Sequence, residues 1–219
     1  MIETVLFDLD GTLLDSIPLL LGAYRHVTAT HRGRPLPDEL FLRGVGTPLL
    51  VQLAEFARDE AETQSMLEGF RAYFRAHHDT QMRRFPGANE VVHTLHEQGV
   101  PMAIVTSKKR RSTQAGLDFL GLSDLLPVRV CADDVERPKP HPEPVTKALE
   151  VLGADPATAV FVGDSTHDLA AGRAAGVHTA AALWGPMPRE DLAAHSPTWW
   201  LDEPLAVLEL LSTPRLPRE

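Results

Sequence analysis

Cysteine is almost absent: Cys131 is the single one in 219 residues, which excludes an internal disulfide, and no second ligand-type residue stands at zinc-finger spacing from it. It reads as a small buried hydrophobe. Positive charge is also short, with 21 Lys+Arg against 30 Asp+Glu for a net charge of −9. A negative field repels phosphate backbones and anionic lipid, so the expected partner is a small ligand or a protein, with no nucleic acid and no membrane. No apolar run approaches the roughly 18 residues of a membrane span. The opening MIETVLFDLDG lacks the basic region of an export signal, and the expected location is the reducing cytoplasm. What is present is 43% hydrophobic residues, enough for one sizeable core and a small second lobe. No pattern specifies an oligomeric state.

Three short apolar runs end in polar residues: Thr4 to Phe7 before Asp8, Met102 to Val105 before Thr106, and Ala159 to Val162 before Gly163 and Asp164. Each reads as a buried parallel strand. Helical stretches lie between and after them, at Gly87 to Gln98, Ser112 to Leu120, Pro142 to Leu152 and Asp168 to Ala175. Two weaker strands, Val128 to Cys131 and His178 to Ala181, bring the expected sheet to five. This alternation predicts an α/β fold with a Rossmann-like parallel sheet, which binds ligands at the carboxyl ends of its strands. Asp8, Thr106 and Asp164 all fall there.

From Asp15 to Phe85 the alternation stops, and apolar positions recur at helical spacing in Ile17 to Val27, Leu49 to Ala57 and Met66 to Phe74. The reading is an inserted α-helical cap over 15–85, a catalytic core over 1–14 and 86–212, and a frayed tail over 213–219. The insertion balances nine Arg against nine acids, so the core carries the whole −9, as a cation-binding site requires.

Asp8 and Asp10 are two carboxylates at one strand end, and the turn expected at Gly11 lets both face one pocket. Paired acids attract a hard cation, and Asp164 on another strand tip adds an oxygen, a set suited to Mg²⁺. With the charge neutralised, one Asp can attack phosphorus while the other shuttles a proton, and Thr106 and Lys139 can hold the phosphoryl oxygens. Lysine usage points the same way. The chain has 17 Arg and four Lys, at 108, 109, 139 and 147. A compact ammonium suits a crowded phosphoryl site better than a guanidinium fork.

The strings DLDGTLLDS at Asp8 to Ser16, Thr106 with Ser107, KPHP at Lys139 to Pro142, and GDSTHD at Gly163 to Asp168 resemble, in order, the four motifs of the haloacid dehalogenase superfamily. The resemblance implies that Asp8 is the nucleophile that becomes an aspartyl phosphate. It implies that Asp10 is the acid and base, that Thr106 binds the phosphoryl group, and that Lys139 steadies the nucleophile. It further implies Mg²⁺ on Asp8, Asp164 and the Asp10 backbone carbonyl, with Asp168 supporting the site and Leu9 and Ser107 completing the phosphate cradle. The insertion after the first motif is similar to the mobile helical caps of the superfamily. GVGTP at Gly44 to Pro48 resembles their specificity loop, which makes Gly46 and Thr47 candidate substrate contacts.

Among superfamily chemistries, Asp10 favours phosphate-ester hydrolysis over dehalogenation, and the absence of lysine from the insertion speaks against Schiff-base phosphonate hydrolysis. A sugar-phosphate mutase stays open, with Arg25, Arg43 and Arg71 as basic cap residues. The whole chain resembles phosphoglycolate phosphatases, and its C-terminal part also resembles bacterial pyrophosphatases of the same branch. The expected substrate is a small phosphorylated metabolite. His77, His78 and Asp79 read as a surface helix end rather than a metal cluster, His167 as a loop residue, and Trp199 with Trp200 as cover for the sheet edge or a seat for the last helix.

Overall fold

The protein was analysed as a computed structural model that describes residues 1–44 and 47–212, without the side chains of Asp79 and Ser212. Gly46 and the expected tail over 213–219 therefore lie outside the described residues. In chain order the elements are β1 (Thr4–Phe7), β2 (Leu14–Asp15), α1 (Ile17–Arg32), α2 (Asp38–Leu42), α3 (Leu49–Ala54), α4 (Glu60–Gln81), β3 (Arg83–Arg84) and α5 (Ala88–Glu97). They continue with β4 (Met102–Val105), α6 (Arg110–Leu120), β5 (Arg129–Val130), α7 (Glu143–Leu152), β6 (Ala159–Gly163), α8 (Thr166–Ala174), β7 (His178–Ala182), α9 (Arg189–Ala193) and β8 (Trp199–Leu201). A 3₁₀ helix over Pro204–Ser212 ends the described chain. The chain divides into two compact units, Met1–Leu14 with the chain from Arg84 on, and Asp15–Arg83. Among the described residues no helix is long and apolar enough to cross a membrane.

The larger unit is built on a parallel sheet in the order β5-β4-β1-β6-β7-β8, while β2 and β3 form a separate two-stranded sheet. The main sheet has six strands rather than the five expected, because Trp199–Leu201 pairs with β7, Ala180 opposite Trp199 and Ala182 opposite Leu201. Three residues are too few to show alternation, and only the hydrogen bonds of a neighbour make them a strand. β1 and β4 are buried at every position, as strands covered on both faces must be. On one face Leu6, Ala103, Val105 and Phe161 pack with Val145, Ala148 and Leu149 of α7 and Ala171 of α8. Burial of a side chain such as Phe161, wholly inaccessible here, contributes about 2–3 kcal/mol.

Register decides where the polar residues emerge. Phe7 stands opposite Ile104 on one side and Val162 on the other, so β1, β4 and β6 end at one level. The Asp8 N–H extends the ladder to the Val162 carbonyl at 2.9 Å, and the Thr106 N–H reaches the Val130 carbonyl at 2.9 Å. Several element bounds differ from expectation by one or two residues. α6 begins two residues early, at Arg110, and α8 begins at Thr166 rather than Asp168 because Ser165 and Asp168 close a capping box at its start.

Among the described residues of the smaller unit, the regular elements between Ile17 and Gln81 are all helices. Its core joins Ala23, Tyr24 and Val27 of α1 to Phe41, Leu53, Met66, Leu67 and Phe70, with the Tyr24 ring stacked on Phe41 at 4.6 Å. α4 runs for 22 residues, far beyond the Met66 to Phe74 periodicity. Asp59 caps its start by accepting the Glu62 N–H at 2.8 Å. Near that end, buried Glu62 receives Arg32 Nη2 at 2.9 Å and Arg58 Nη2 at 2.7 Å. Hydrogen bonds from Arg32 and then Arg58 hold its carboxyl well below the usual glutamate range, against the opposing effect of burial. His77 and His78 fall in the last turns of α4, where His77 Nδ1 lies 2.9 Å from the Tyr73 carbonyl.

Candidate active site

The site lies within the larger unit, at the carboxyl ends of β1, β4 and β6. After β1 the chain turns sharply: the Leu9 carbonyl accepts the Leu13 and Leu14 N–H groups at 3.0 and 2.8 Å, and Gly11 takes φ 84°. A side chain at Gly11 is doubly excluded, since a Cβ there would stand 2.3 Å from Asp164 Oδ2. Asp8 and Asp164 are buried and the Asp10 side chain is 17% exposed.

Carboxylate oxygens of Asp8, Asp164 and Asp168 come within 4.8 Å of one another. Lys139 enters this cluster from the loop before α7. Its Nζ donates to Asp168 Oδ1 at 2.5 Å and to the Val105 carbonyl at 3.1 Å, and it forms an ion pair with Asp8 Oδ1, also at 3.1 Å. The ammonium also stands 5.5 Å from the Phe161 ring centroid. Burial pulls Lys139 down, but Asp168 and then Asp8 outweigh it and hold the ammonium above the ordinary lysine range. The Asp168 carboxylate spends its other oxygen on Ser165, taking the N–H at 3.0 Å and the hydroxyl at 2.5 Å.

Asp164 receives the Thr12 hydroxyl on Oδ1 at 2.6 Å, while its Oδ2 is buried with no hydrogen-bond partner. Burial, with Asp168 and Asp8 adding to it, holds Asp164 well above the usual aspartate range. Burial likewise raises Asp8 to about 7, against the lowering influence of Lys139. An orphaned, desolvated carboxylate oxygen beside a second buried carboxylate is what a hard cation satisfies, so the donor set fits a divalent metal ion.

Asp10 is arranged differently from the other expected metal residues. Its carboxylate is not in the close triad: Oδ1 accepts Lys108 Nζ at 2.7 Å. Thr106 is buried on the tip of β4, and its hydroxyl oxygen accepts the Lys108 N–H at 3.2 Å. Leu9 is buried directly after Asp8, and Ser107 is half-buried in the same loop as Thr106. Thr47 belongs to the smaller unit, where its N–H donates to the Gly44 carbonyl at 3.0 Å.

Three groups at the site escape the sequence reading. Thr12 and Ser165 orient Asp164 and Asp168, and both lie inside strings that carried a signal. Lys108 was flagged by lysine scarcity without a role. The Trp184–Gly185 loop lies in the C-terminal stretch that resembles bacterial pyrophosphatases, but no pattern there gives either residue a role. The Trp184 indole donates to the Thr12 carbonyl at 2.9 Å, and a Cβ on Gly185 would fall 2.2 Å from Asp164 Cβ. His167 stands in the first turn of α8, half-buried.

A parallel sheet with an aspartate-bearing turn after its central strand, and a helical insertion following that turn in the chain, is the architecture of a class of hydrolases. A family model for haloacid dehalogenase-like hydrolases matches residues 5–182, and the chain belongs to that family. It is 37% identical over 211 residues to pyrophosphatase PpaX of Bacillus cereus, covering 96% of this chain and 97% of that protein. Among solved structures it resembles a predicted phosphoglycolate phosphatase from Haemophilus somnus at TM-score 0.87 and 25% identity, covering 96% of this chain and 98% of the other. It also resembles a haloacid dehalogenase-like family hydrolase from Streptococcus pneumoniae at TM-score 0.81 and 26% identity, with 96% and 98% covered.

Proposed function

We propose that the protein is a Mg²⁺-dependent phosphohydrolase that cleaves a small phosphate monoester through an aspartyl phosphate on Asp8, in the manner of a phosphoglycolate phosphatase. The observation that carries this reading is the buried, unpartnered Asp164 Oδ2 beside Asp8, a pair of desolvated carboxylates that a dication and a phosphoryl group complete. Asp8, Asp164 and the Asp10 backbone carbonyl would hold the ion. When bound, Mg²⁺ neutralises the carboxylates and polarises the phosphoryl oxygens. An Asp8 carboxylate oxygen attacks phosphorus as the bond to the leaving oxygen breaks, and the Asp10 carboxyl gives that oxygen its proton. Asp10, now ionised, takes a proton from water, whose oxygen attacks the same phosphorus. This frees Asp8 and releases inorganic phosphate. The Thr106 and Ser107 hydroxyls and the Leu9 backbone N–H hold phosphoryl oxygens, while Lys139 balances the charge of Asp8. The single buried free Cys131 accords with a reducing cytoplasm.

A second reading, inorganic pyrophosphatase, is favoured by the 37% identity to a protein named pyrophosphatase over nearly the whole chain. Both are tested by phosphate release with Mg²⁺ from 2-phosphoglycolate, pyrophosphate, sugar phosphates and nucleotides. The expected result is one organic monoester leading, at a kcat/KM near or above about 10⁴ M⁻¹s⁻¹. Asp8→Asn is expected to lose at least a thousandfold while keeping its circular dichroism spectrum. Pyrophosphate in first place supports the second reading, and isomerisation of a sugar phosphate without phosphate release overturns both.

A further inference from the structure

The mechanism above leaves one cation of the site without a task. Lys108 is one of only four lysines in a chain that uses arginine 17 times, and it stands in the loop after β4, two residues past Thr106. That loop is pinned on both sides of it. The Lys108 N–H donates to Thr106 Oγ1 at 3.2 Å, and its carbonyl accepts the Ala132 N–H at 2.8 Å. The backbone is thereby held, and the four-carbon stem alone places the charge. Its Nζ lies 2.7 Å from Asp10 Oδ1, with the two side chains 13% and 17% exposed. Lys139, by contrast, is 1% exposed and sealed between Asp168 and Asp8. Lys108 is thus the site ammonium that solvent, and hence a substrate, reaches.

Its position specifies what it meets. Asp10 is the group assigned to protonate the leaving oxygen, so its carboxylate marks the leaving-group side of the site. Two hydrogen-bond lengths of about 2.7 Å in series, across one carboxylate, put the ammonium within about 5–8 Å of the leaving oxygen. An anionic group one or two bonds beyond that oxygen then falls within reach of a charge-assisted bond. An ammonium carries three donors, so it can hold Asp10 and a substrate oxygen together. The surrounding acids, Asp8, Asp10, Asp164 and Asp168, repel a second substrate anion unless a cation receives it.

We propose that Lys108 is a specificity-determining residue that receives a second anionic group on the leaving-group side, so that the preferred substrate carries a phosphate or carboxylate within two bonds of the leaving oxygen. The inference rests on the phosphohydrolase reading and narrows its substrate class. The test is kcat/KM of wild type, Lys108→Met and Lys108→Arg on pyrophosphate, on 2-phosphoglycolate and on phenyl phosphate, whose leaving group has no second anion. Circular dichroism and the unfolding midpoint check that each variant folds. Methylenediphosphonate, a non-hydrolysable compound with two anionic groups, is measured alongside as an inhibitor.

Lys108→Met is expected to lower the ratio of kcat/KM for pyrophosphate or phosphoglycolate over phenyl phosphate at least tenfold. The change should lie mainly in KM, with partial rescue by Lys108→Arg and a matching rise in the inhibition constant of methylenediphosphonate. An equal loss on all three substrates, with that inhibition constant unchanged, overturns the proposal and leaves Lys108 as a support for Asp10. A wild type that releases phosphate from none of the three but does so from a sugar phosphate or nucleotide overturns the proposal alone, and one that releases none from any of these substrates overturns the phosphohydrolase reading with it; both are distinct from uniform loss. If Lys108→Met fails to fold, the wild-type inhibition constants decide: methylenediphosphonate at least tenfold tighter than methylphosphonate supports the proposal, and equal affinity overturns it.

Discussion

Lys139 sits between Asp8 and Asp168 with almost no exposure, and at residue scale the electrostatics of the site depend on it. A buried ion pair adds little net stability, yet removing one member strands the other in a medium that cannot solvate it. Lys139→Met is therefore expected to destabilise the larger unit by about 3–5 kcal/mol in urea unfolding and to lower phosphate release at least a hundredfold. KPHP in the sequence points to this lysine, and its proline neighbours suggest a stiff loop. That Asp168 takes the shorter of its two carboxylate contacts emerges only in the fold, where α8 places its third residue against Ser165 and Lys139 together.

Two elements shape their surroundings beyond their own residues. The loop after β7 brings Trp184 to the Thr12 carbonyl and Gly185 against Asp164, so a strand at the far side of β6 positions the acid on the tip of β6. Gly185→Ala forces that loop outward, because its Cβ would sit 2.2 Å from Asp164 Cβ. The expected result is a half-saturating Mg²⁺ concentration raised at least fivefold, read by activity and by metal-induced shift of the unfolding midpoint. In the helical unit, α4 depends on Glu62. Its carboxyl is held below the ordinary 4.5, so its stabilisation is full above that value and is lost as pH falls through the lowered one. Glu62→Gln should therefore lower the unfolding temperature of this unit at pH 7, and the difference from wild type should shrink as pH drops below about 4.5.

At the scale of the whole molecule, charge and chemistry share one unit. The acids that give the chain its −9 lie in excess outside Asp15 to Phe85, and Asp8, Asp10, Thr106, Lys139, Asp164 and Asp168 all belong to the larger unit. Mg²⁺ added to chelator-treated protein is expected to restore activity and to stabilise that unit by about 2.7 kcal/mol at a hundred times the dissociation constant. Hydrogen exchange should show the new protection at 8–12, 106–108 and 164–168. Amides around the Tyr24, Phe41 and Phe70 cluster should keep their rates.

What the sequence by itself determined was local. Apolar runs without polar interruption made β1, β4 and β6 legible, and acids placed just past such runs marked the strand tips where a parallel sheet binds its ligand. The period of 3.6 and the balanced charge set the insertion apart. Tertiary structure decided what local pattern cannot carry. Trp199–Leu201 is a strand because β7 lends it hydrogen bonds, and α4 outruns its apolar stripe at both ends, with Asp59 and Glu62 anchoring its start. The partners of the site lie far apart in the chain: Lys108 meets Asp10 across 98 positions, Thr12 meets Asp164 across 152, and Trp184 meets Thr12 across 172. Such contacts follow from strand order and register, which arise from pairing across the sheet and leave no spacing in the sequence to read.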